Sequence, residues 1–247
     1  DNAGCSIPVE MLPSDSSVVF KESTYFSENG PNSSLPSPAI VRATQKARHL
    51  SRSMTVRFED LKILVKYGRE ITIAEALCLW AIRRFLPDRV PVPEVYGWCE
   101  DGHVNRQPLL DIVFTDQTKL PAGPFSSVKE FHDWLSFLTK RGLEMHWPDP
   151  SLIPDPFRDS FPDNSLITFT HTDLHRSNIL VTSYAPYRIV AIIDWHQSGW
   201  YPDYWEYCKA TYTADYNGEW NTEYIPRFVD IPECYDAWSF YAQSFGC

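Results

Sequence analysis

The sequence predicts an α+β protein in two parts: a small part with a β-hairpin, a helix and a strand, and a larger, more helical part. β-prone runs flank residues 59 and 60, apolar residues have helical spacing in 71–86, and longer helical patterns dominate the second half. We expect residues 1–101 to form an N-terminal extension and the first part, and residues 102–247 to form the second. With 43% hydrophobic residues in a chain of 247, a sizeable core can be buried.

The extension and the hairpin come first. Residues 1–50 are rich in Ser, Pro and Asn, and the stretch NGPNSSLPSP is typical of a loop. The stretch TVRFEDLKILVKY contains two β-prone runs around Glu59 and Asp60, which predicts a hairpin. Lys66 then lies near the end of the second strand.

A helix and a short strand complete the first part. ITIAEALCLWAIRRFL has the apolar spacing of an amphipathic helix, with Glu75 in its first turns, and Pro87 predicts its end. VPVPEVYGWCE, with prolines at its start, predicts a short strand.

The second part opens with a helix in PFSSVKEFHDWLSFLTKRG. Ser126 or Ser127 with Glu130 gives a capping signal, and the helix should end near Gly142. A loop punctuated by prolines follows, and beyond it NILV and RIVAIID predict a second hairpin.

The stretch HTDLHRSNILV places polar groups at the open end of this second hairpin. Because the two open ends of a hairpin lie together, Asn178 before the outgoing strand should lie close to Asp194 at the end of the returning strand. Asp173 is five residues before Asn178 and can face the same point. Two carboxylates and an amide suit a hard cation such as Mg²⁺ that also binds a polyphosphate. The sequence therefore predicts a magnesium-nucleotide site.

Phosphoryl transfer would use each of these groups. Such a reaction needs a carboxylate that orients the acceptor hydroxyl, a metal site, and a cation on the nucleotide phosphates. We assign the first role to Asp173, the magnesium ligands to Asn178 and Asp194, and the phosphate contact to Lys66. Glu75 has the charge and chain position to form an ion pair with Lys66.

Composition restricts the partners. The formal charge of -10 and the absence of a Lys/Arg run argue against nucleic acid and favour a cationic or neutral small molecule. No apolar stretch approaches the roughly 20 residues of a membrane span, and the first residues do not resemble a signal peptide. The six scattered cysteines do not suggest a disulfide framework, so we expect a soluble protein in a reducing, cytoplasmic setting.

These motifs carry a family resemblance. HTDLHRSNILV followed by IVAIIDWHQSGWYPDYWEYCKA resembles the aminoglycoside phosphotransferase and choline kinase-like family, especially its fungal members. The family's HxDxxxxN loop corresponds to the segment from His171 to Asn178, and its metal-binding IDW segment corresponds to Asp194 and Trp195. LVKYG and IAEAL are similar to its strand lysine and helix glutamate. The resemblance implies a bilobal protein-kinase-like fold with a small β-rich N-lobe and a larger, mainly helical C-lobe, and it implies the use of ATP and Mg²⁺.

The sequence departs from the family after the strand VPEVYGWCE. There the family continues with a further strand, an adenine-binding hinge and a helix, whereas CEDGHVNRQPLLDIVFTD leads almost directly into the second part, about fifty residues short for this fold. The only candidate for a phosphate loop before Lys66 is LSRS around Ser51. A kinase fold that has lost phosphoryl transfer, and acts as a binding module or does other chemistry, is therefore the alternative function.

A hydrolase whose transition metal is bound by His171, Asp173 and His175 is a further alternative, but it leaves Asn178, Asp194 and Lys66 unexplained. We expect both histidines to structure the loop through backbone hydrogen bonds instead.

The tryptophans Trp195, Trp200 and Trp205 are expected in the core. The acidic, aromatic C-terminal segment is expected to be a helical cover, with substrate contacts by Asp203, Asp215 and Glu219 as the alternative.

Overall fold

The computed structural model describes residues 11–44, 54–68, 71–100, 113, 122–141, 149 and 152–244. The chain divides into two compact units. The first contains Asp1–Arg106 and Leu180–His196, and the second contains Gln107–Ile179 and Gln197–Cys247. Helices alternate with two-stranded sheets, so the predicted α+β class is confirmed.

The first unit contains most of the β-structure. Its elements in the first hundred residues are β1 (Ser17–Val19), α1 (Thr24–Asn29), α2 (Pro38–Thr44), β2 (Met54–Phe58), β3 (Ile63–Tyr67), α3 (Ile73–Phe85) and β4 (Gly97–Cys99). β1 pairs with β4, and β2 pairs with β3, both antiparallel. The predicted hairpin and the predicted helix before Pro87 are therefore confirmed, and the predicted short strand is reduced to β4.

A second hairpin consists of β6 (Ile179–Val181) and β7 (Ile189–Ile192), as predicted. All of it except Ile179 belongs to the first unit. The main-chain N–H of Ile192 donates to the carbonyl of Pro91 at 2.8 Å. Beyond β7, Trp195 is buried with Ile82 of α3 and Val92. The segment that carries Asp194 is thus attached to the first unit on both sides of the carboxylate.

The second unit is mainly helical. Its elements are α4 (Val128–Arg141), β5 (Ile167–Thr170), β8 (Gly199–Pro202), α5 (Trp205–Tyr212) and α6 (Tyr235–Ser244). Its core contains Leu135 of α4, Trp205 of α5 and Trp238 of α6, each at most 1% exposed. The predicted cap of α4 is present, because the N–H of Glu130 donates to Ser127 and the Glu130 carboxylate accepts from Ser126. That carboxylate bonding lowers the pKa of Glu130.

The tryptophan prediction is right for two of the three residues. Trp195 and Trp205 are buried, but Trp200 is 58% exposed, so the core assignment of Trp200 is wrong. Neighbouring residues of a strand point to opposite faces, and Tyr201 takes the buried face of β8. Trp200 therefore lies on the outer face, where it contacts Phe169 of β5 edge to face.

Some predictions concern residues outside the described ranges. The LSRS stretch and the junction at 101–104, where the sequence departs from the family pattern, both lie outside them. Within the described ranges, Cys78, Cys99, Cys208 and Cys234 are free thiols. None of the helices in this part of the chain combines the length and the apolar character needed to cross a membrane.

Candidate functional site

Lys66 lies at the centre of an ionic cluster in the first unit. Its Nζ is 2.7 Å from Oε1 of Glu75 and 2.5 Å from Oδ1 of Asp194, a residue 128 positions later in the chain. Burial by itself would lower the pKa of Lys66, but the hydrogen bonds to Asp194 and Glu75 outweigh it, so the pKa of Lys66 is raised. The lysine is therefore charged at neutral pH and sits between two carboxylates.

Asp194 combines exposure with an unusual backbone. Its side chain is 45% exposed, and its φ of 65° is in the left-handed region. Asp tolerates this conformation better than most residues, and such conformations are frequent at functional sites. The next side chain holds the turn, because Nε1 of Trp195 donates to the carbonyl of Ile192 at 2.9 Å. The carboxylate is thus presented to solvent from a fixed turn.

Glu75 is held at the start of α3 in an unusual way. Thr72 is the N-cap residue and Glu75 the third helical residue, which is the spacing of a capping box, yet Thr72 makes no side-chain cap bond. Glu75 is only 6% exposed. Thr72 Oγ1 and Glu75 Oε2 are both buried without a hydrogen-bond partner. The carboxylate is therefore turned toward Lys66 instead of capping its own helix.

The second unit contains the loop from His171 to Asn178. Nδ2 of Asn178 donates to the main-chain oxygen of Asp173 at 2.8 Å and to its carboxylate oxygen Oδ2 at 3.2 Å. Asn178 is buried and ends a short 3-10 turn, Arg176–Asn178, whereas Asp173 is half-buried. Since both bonds use the amide nitrogen, the amide oxygen of Asn178 remains as a ligand atom.

The two histidines of this loop bond to its backbone, as predicted. The N–H of Asp173 donates to Nδ1 of His171 at 3.2 Å, and the N–H of Ser177 donates to Nδ1 of His175 at 3.3 Å. Over the described ranges, no group of three or more His, Cys, Asp or Glu side chains could hold a metal ion. The bonds of the two Nδ1 atoms to backbone do not favour the hydrolase alternative.

Sequence reasoning missed Glu206, which lies on α5 and is buried. Its Oε2 accepts the N–H groups of His171, at 2.5 Å, and of Thr172, at 3.3 Å. Thr172, immediately before Asp173, has a φ of 63°, which is rare for a β-branched residue. A charged pair inside the otherwise apolar and aromatic stretch WEYCKA was the only available signal.

The sequence-predicted residues thus form two groups. Lys66, Glu75 and Asp194 are in contact within the first unit, and Asp173 and Asn178 are in contact within the second. The approach of Asn178 to Asp194 stays a prediction.

Comparison with known families adds an independent finding. Residues 157–241 match the APH model, described as a phosphotransferase enzyme family. This match supports the resemblance to the aminoglycoside phosphotransferase family and indicates phosphotransferase activity. It covers roughly a third of the chain, including Asp173, Asn178 and Asp194, whereas Lys66 and Glu75 lie outside it. No match was found among the curated proteins or among the solved structures.

Proposed function

We propose that this chain transfers the γ-phosphate of ATP, with Mg²⁺, to a hydroxyl group of a small molecule. The observation that carries the proposal is the contact of Lys66 with both Glu75 and Asp194. The family match over residues 157–241 supports the same reaction class. We further propose that the fold is bilobal and protein-kinase-like, with a small β-rich N-lobe and a larger helical C-lobe.

The residues available for magnesium fit its chemistry. Mg²⁺ prefers carboxylate and amide oxygens and keeps several of its waters. Asp194 offers a half-exposed carboxylate, and Asn178 retains its amide oxygen. Asp194 and Asn178 would hold the ion, which when bound would neutralise charge on the phosphates.

Lys66 would bind the phosphates of ATP, and Glu75 would hold its ammonium group in place. The short contact between Lys66 and Glu75 supports this division of roles. Because Glu75 is buried, its carboxylate is shielded from ions in the solvent. A protonated lysine is required for this role, and the raised pKa of Lys66 is consistent with it.

Asp173 would accept the proton of the attacking hydroxyl. Asn178 orients this carboxylate by donating its amide N–H to Oδ2 of Asp173. The acceptor would be a neutral or cationic small molecule, because the net charge of -10 disfavours anionic partners such as nucleic acid. Asp203, Asp215 and Glu219 are exposed in the second unit and are available to attract a cation.

A binding experiment followed by a transfer experiment tests the proposal. In thermal melting, a hundredfold excess of magnesium-ATP over its Kd should stabilise the protein by about 2.7 kcal/mol, and magnesium alone or ATP alone should do much less. Asp194→Ala should reduce this effect. Asp60→Ala, which removes an exposed carboxylate from the turn between β2 and β3, is the matched control and should behave like the unchanged protein.

Transfer is then measured with ATP labelled on its γ-phosphate and a metabolite extract. A labelled small molecule should appear with the unchanged protein and not with Asp173→Asn. Stabilisation without any labelled product would favour the alternative, a kinase fold without phosphoryl transfer. The absence of stabilisation by magnesium-ATP would refute the nucleotide site itself.

A further inference from the structure

Helix α5 carries two buried residues of opposite charge, one helical turn apart. Glu206 is 9% exposed and Lys209 is 1% exposed. A lysine is almost never fully buried unless acceptors surround its ammonium group, because removing the charge from water is costly. Glu206 already bonds to the backbone at His171 and Thr172. The roles proposed above leave Lys209 without a function.

Lys209 connects to the same loop by a second route. Its Nζ donates to Oε1 of Gln197 at 3.4 Å, which is long for a hydrogen bond. The attraction between the ammonium charge and the amide dipole is nevertheless stronger in buried surroundings than in water. The main-chain oxygen of Gln197 in turn accepts the hydroxyl of Thr172 at 2.7 Å. Lys209, Gln197 and Thr172 therefore form a connected chain of contacts that ends immediately before Asp173.

The backbone at Thr172 explains why two supports are needed. Its φ of 63° disfavours a β-branched residue, so the turn persists only while its surroundings hold it. Glu206 holds the N–H groups, and Gln197 holds the hydroxyl. Relaxation of Thr172 toward a common φ would rotate the next peptide, and that peptide carries Asp173.

We infer that Lys209 is a positioning residue for Asp173, acting through Gln197 and Thr172. The buried ammonium group orients the Gln197 side chain, and the same residue's carbonyl keeps the Thr172 hydroxyl in place. The inference rests on the proposed function, in which Asp173 accepts the proton of the acceptor.

Hydrogen exchange on the full chain tests the positioning itself, without any turnover. Lys209→Met keeps most of the length of the side chain and removes its charge, and Gln197→Leu removes the acceptor. Each variant should speed amide exchange in residues 171–178 at least about threefold while leaving α4 unchanged, because the loss of support is local. The double variant should exchange no faster than either single variant, because both changes break one chain of contacts.

Lys129→Met is the matched control. It is the same substitution on the exposed surface of α4 and should leave exchange in residues 171–178 as in the unchanged protein. Unchanged exchange of these residues in Lys209→Met, or equal acceleration in α4, would overturn the inference.

Kinetics separate this inference from the proposed function. The assay measures the release of ADP from magnesium-ATP. Compared with the unchanged protein, Lys209→Met should lower kcat at least about tenfold and leave the KM for nucleotide within about twofold. Local loosening with unchanged kcat would overturn the positioning role. If the unchanged protein shows no turnover, the proposed function fails, and the exchange experiment still decides whether Lys209 holds the loop.

Discussion

Replacement of Lys66 by Met tests the ionic cluster most directly. The substitution removes the ammonium group that contacts Glu75 and Asp194 and keeps most of the side-chain volume. Glu75 is 6% exposed and would then be a buried carboxylate without its cation. Asp194, which is half-exposed, would recover most of its hydration. The cost of the substitution therefore comes mainly from Glu75.

The size of the effect follows from the burial of the partners. Breaking a fully buried ion pair by removing one partner costs about 3–5 kcal/mol, because the other charge is left uncompensated. The Lys66 side chain is 28% exposed, so water partly screens the pair, and we expect a loss of about 2 kcal/mol in the free energy of unfolding. Glu75→Gln removes the other charge. Lys66→Met should therefore cost less stability in the Glu75→Gln background than in the unchanged protein, and the coupling energy should be about 1 kcal/mol.

Urea unfolding of the four proteins of this double-mutant cycle, followed by far-UV circular dichroism, gives these free energies. The control is Lys62→Met, an equivalent substitution at an exposed residue of the same hairpin. Since Lys62 has a φ of 53°, a small effect is expected there from the backbone alone. A Lys66→Met variant within about 0.5 kcal/mol of the unchanged protein, or strictly additive effects in the cycle, would show that the cluster is not energetically coupled.

Three other predictions concern the two units separately. Asp173→Asn should abolish phosphate transfer and leave the Kd for magnesium-ATP within about twofold, because it removes the proton acceptor and no phosphate contact; a variant with near-normal transfer would contradict this role. Burial lowers the pKa of His132 below 6.5, and its hydrogen bond to Asp163 only partly opposes this effect. The unfolded state therefore binds a proton more readily than the folded state. The contribution of His132 to stability should be complete above about pH 6.5 and should be lost as the pH falls through the folded pKa. His132→Gln cannot titrate and should show a flatter dependence of the urea midpoint between about pH 7 and about pH 5.5; an unchanged slope would contradict the assignment. Thr72→Val replaces a buried hydroxyl that has no partner, so it should stabilise the protein by about 1 kcal/mol in urea unfolding, and a loss of stability would show that the hydroxyl caps α3.

Local patterns were sufficient to predict several elements. The β2–β3 hairpin, α3 with its end before Pro87, and α4 with its serine and glutamate cap depend on residues that are neighbours in the chain. Hydrophobic periodicity, turn residues and caps act over one or two turns, so a sequence states them directly. The polar loop at His171–Asn178 was recognised for the same reason, and its histidines bond to nearby backbone as expected.

The candidate site was only partly predictable. The pairing of Lys66 with Glu75 followed from the order of a strand and a helix, but no local rule states that Lys66 also meets Asp194, 128 residues later. The left-handed backbone at Thr172 and Asp194 was equally hidden, because neither residue is a glycine that would mark such a turn.

The sequence by itself determined the local elements and the chemical identity of the site residues, since both depend on side-chain type and short spacing. Tertiary structure decided which charges are buried and what they touch. Glu206 and Lys209 look like solvated helix residues in the sequence, and Trp200 looks like a core residue, yet the first two are buried and Trp200 is exposed. Burial depends on which face of an element other parts of the chain cover, and packing between distant segments settles that.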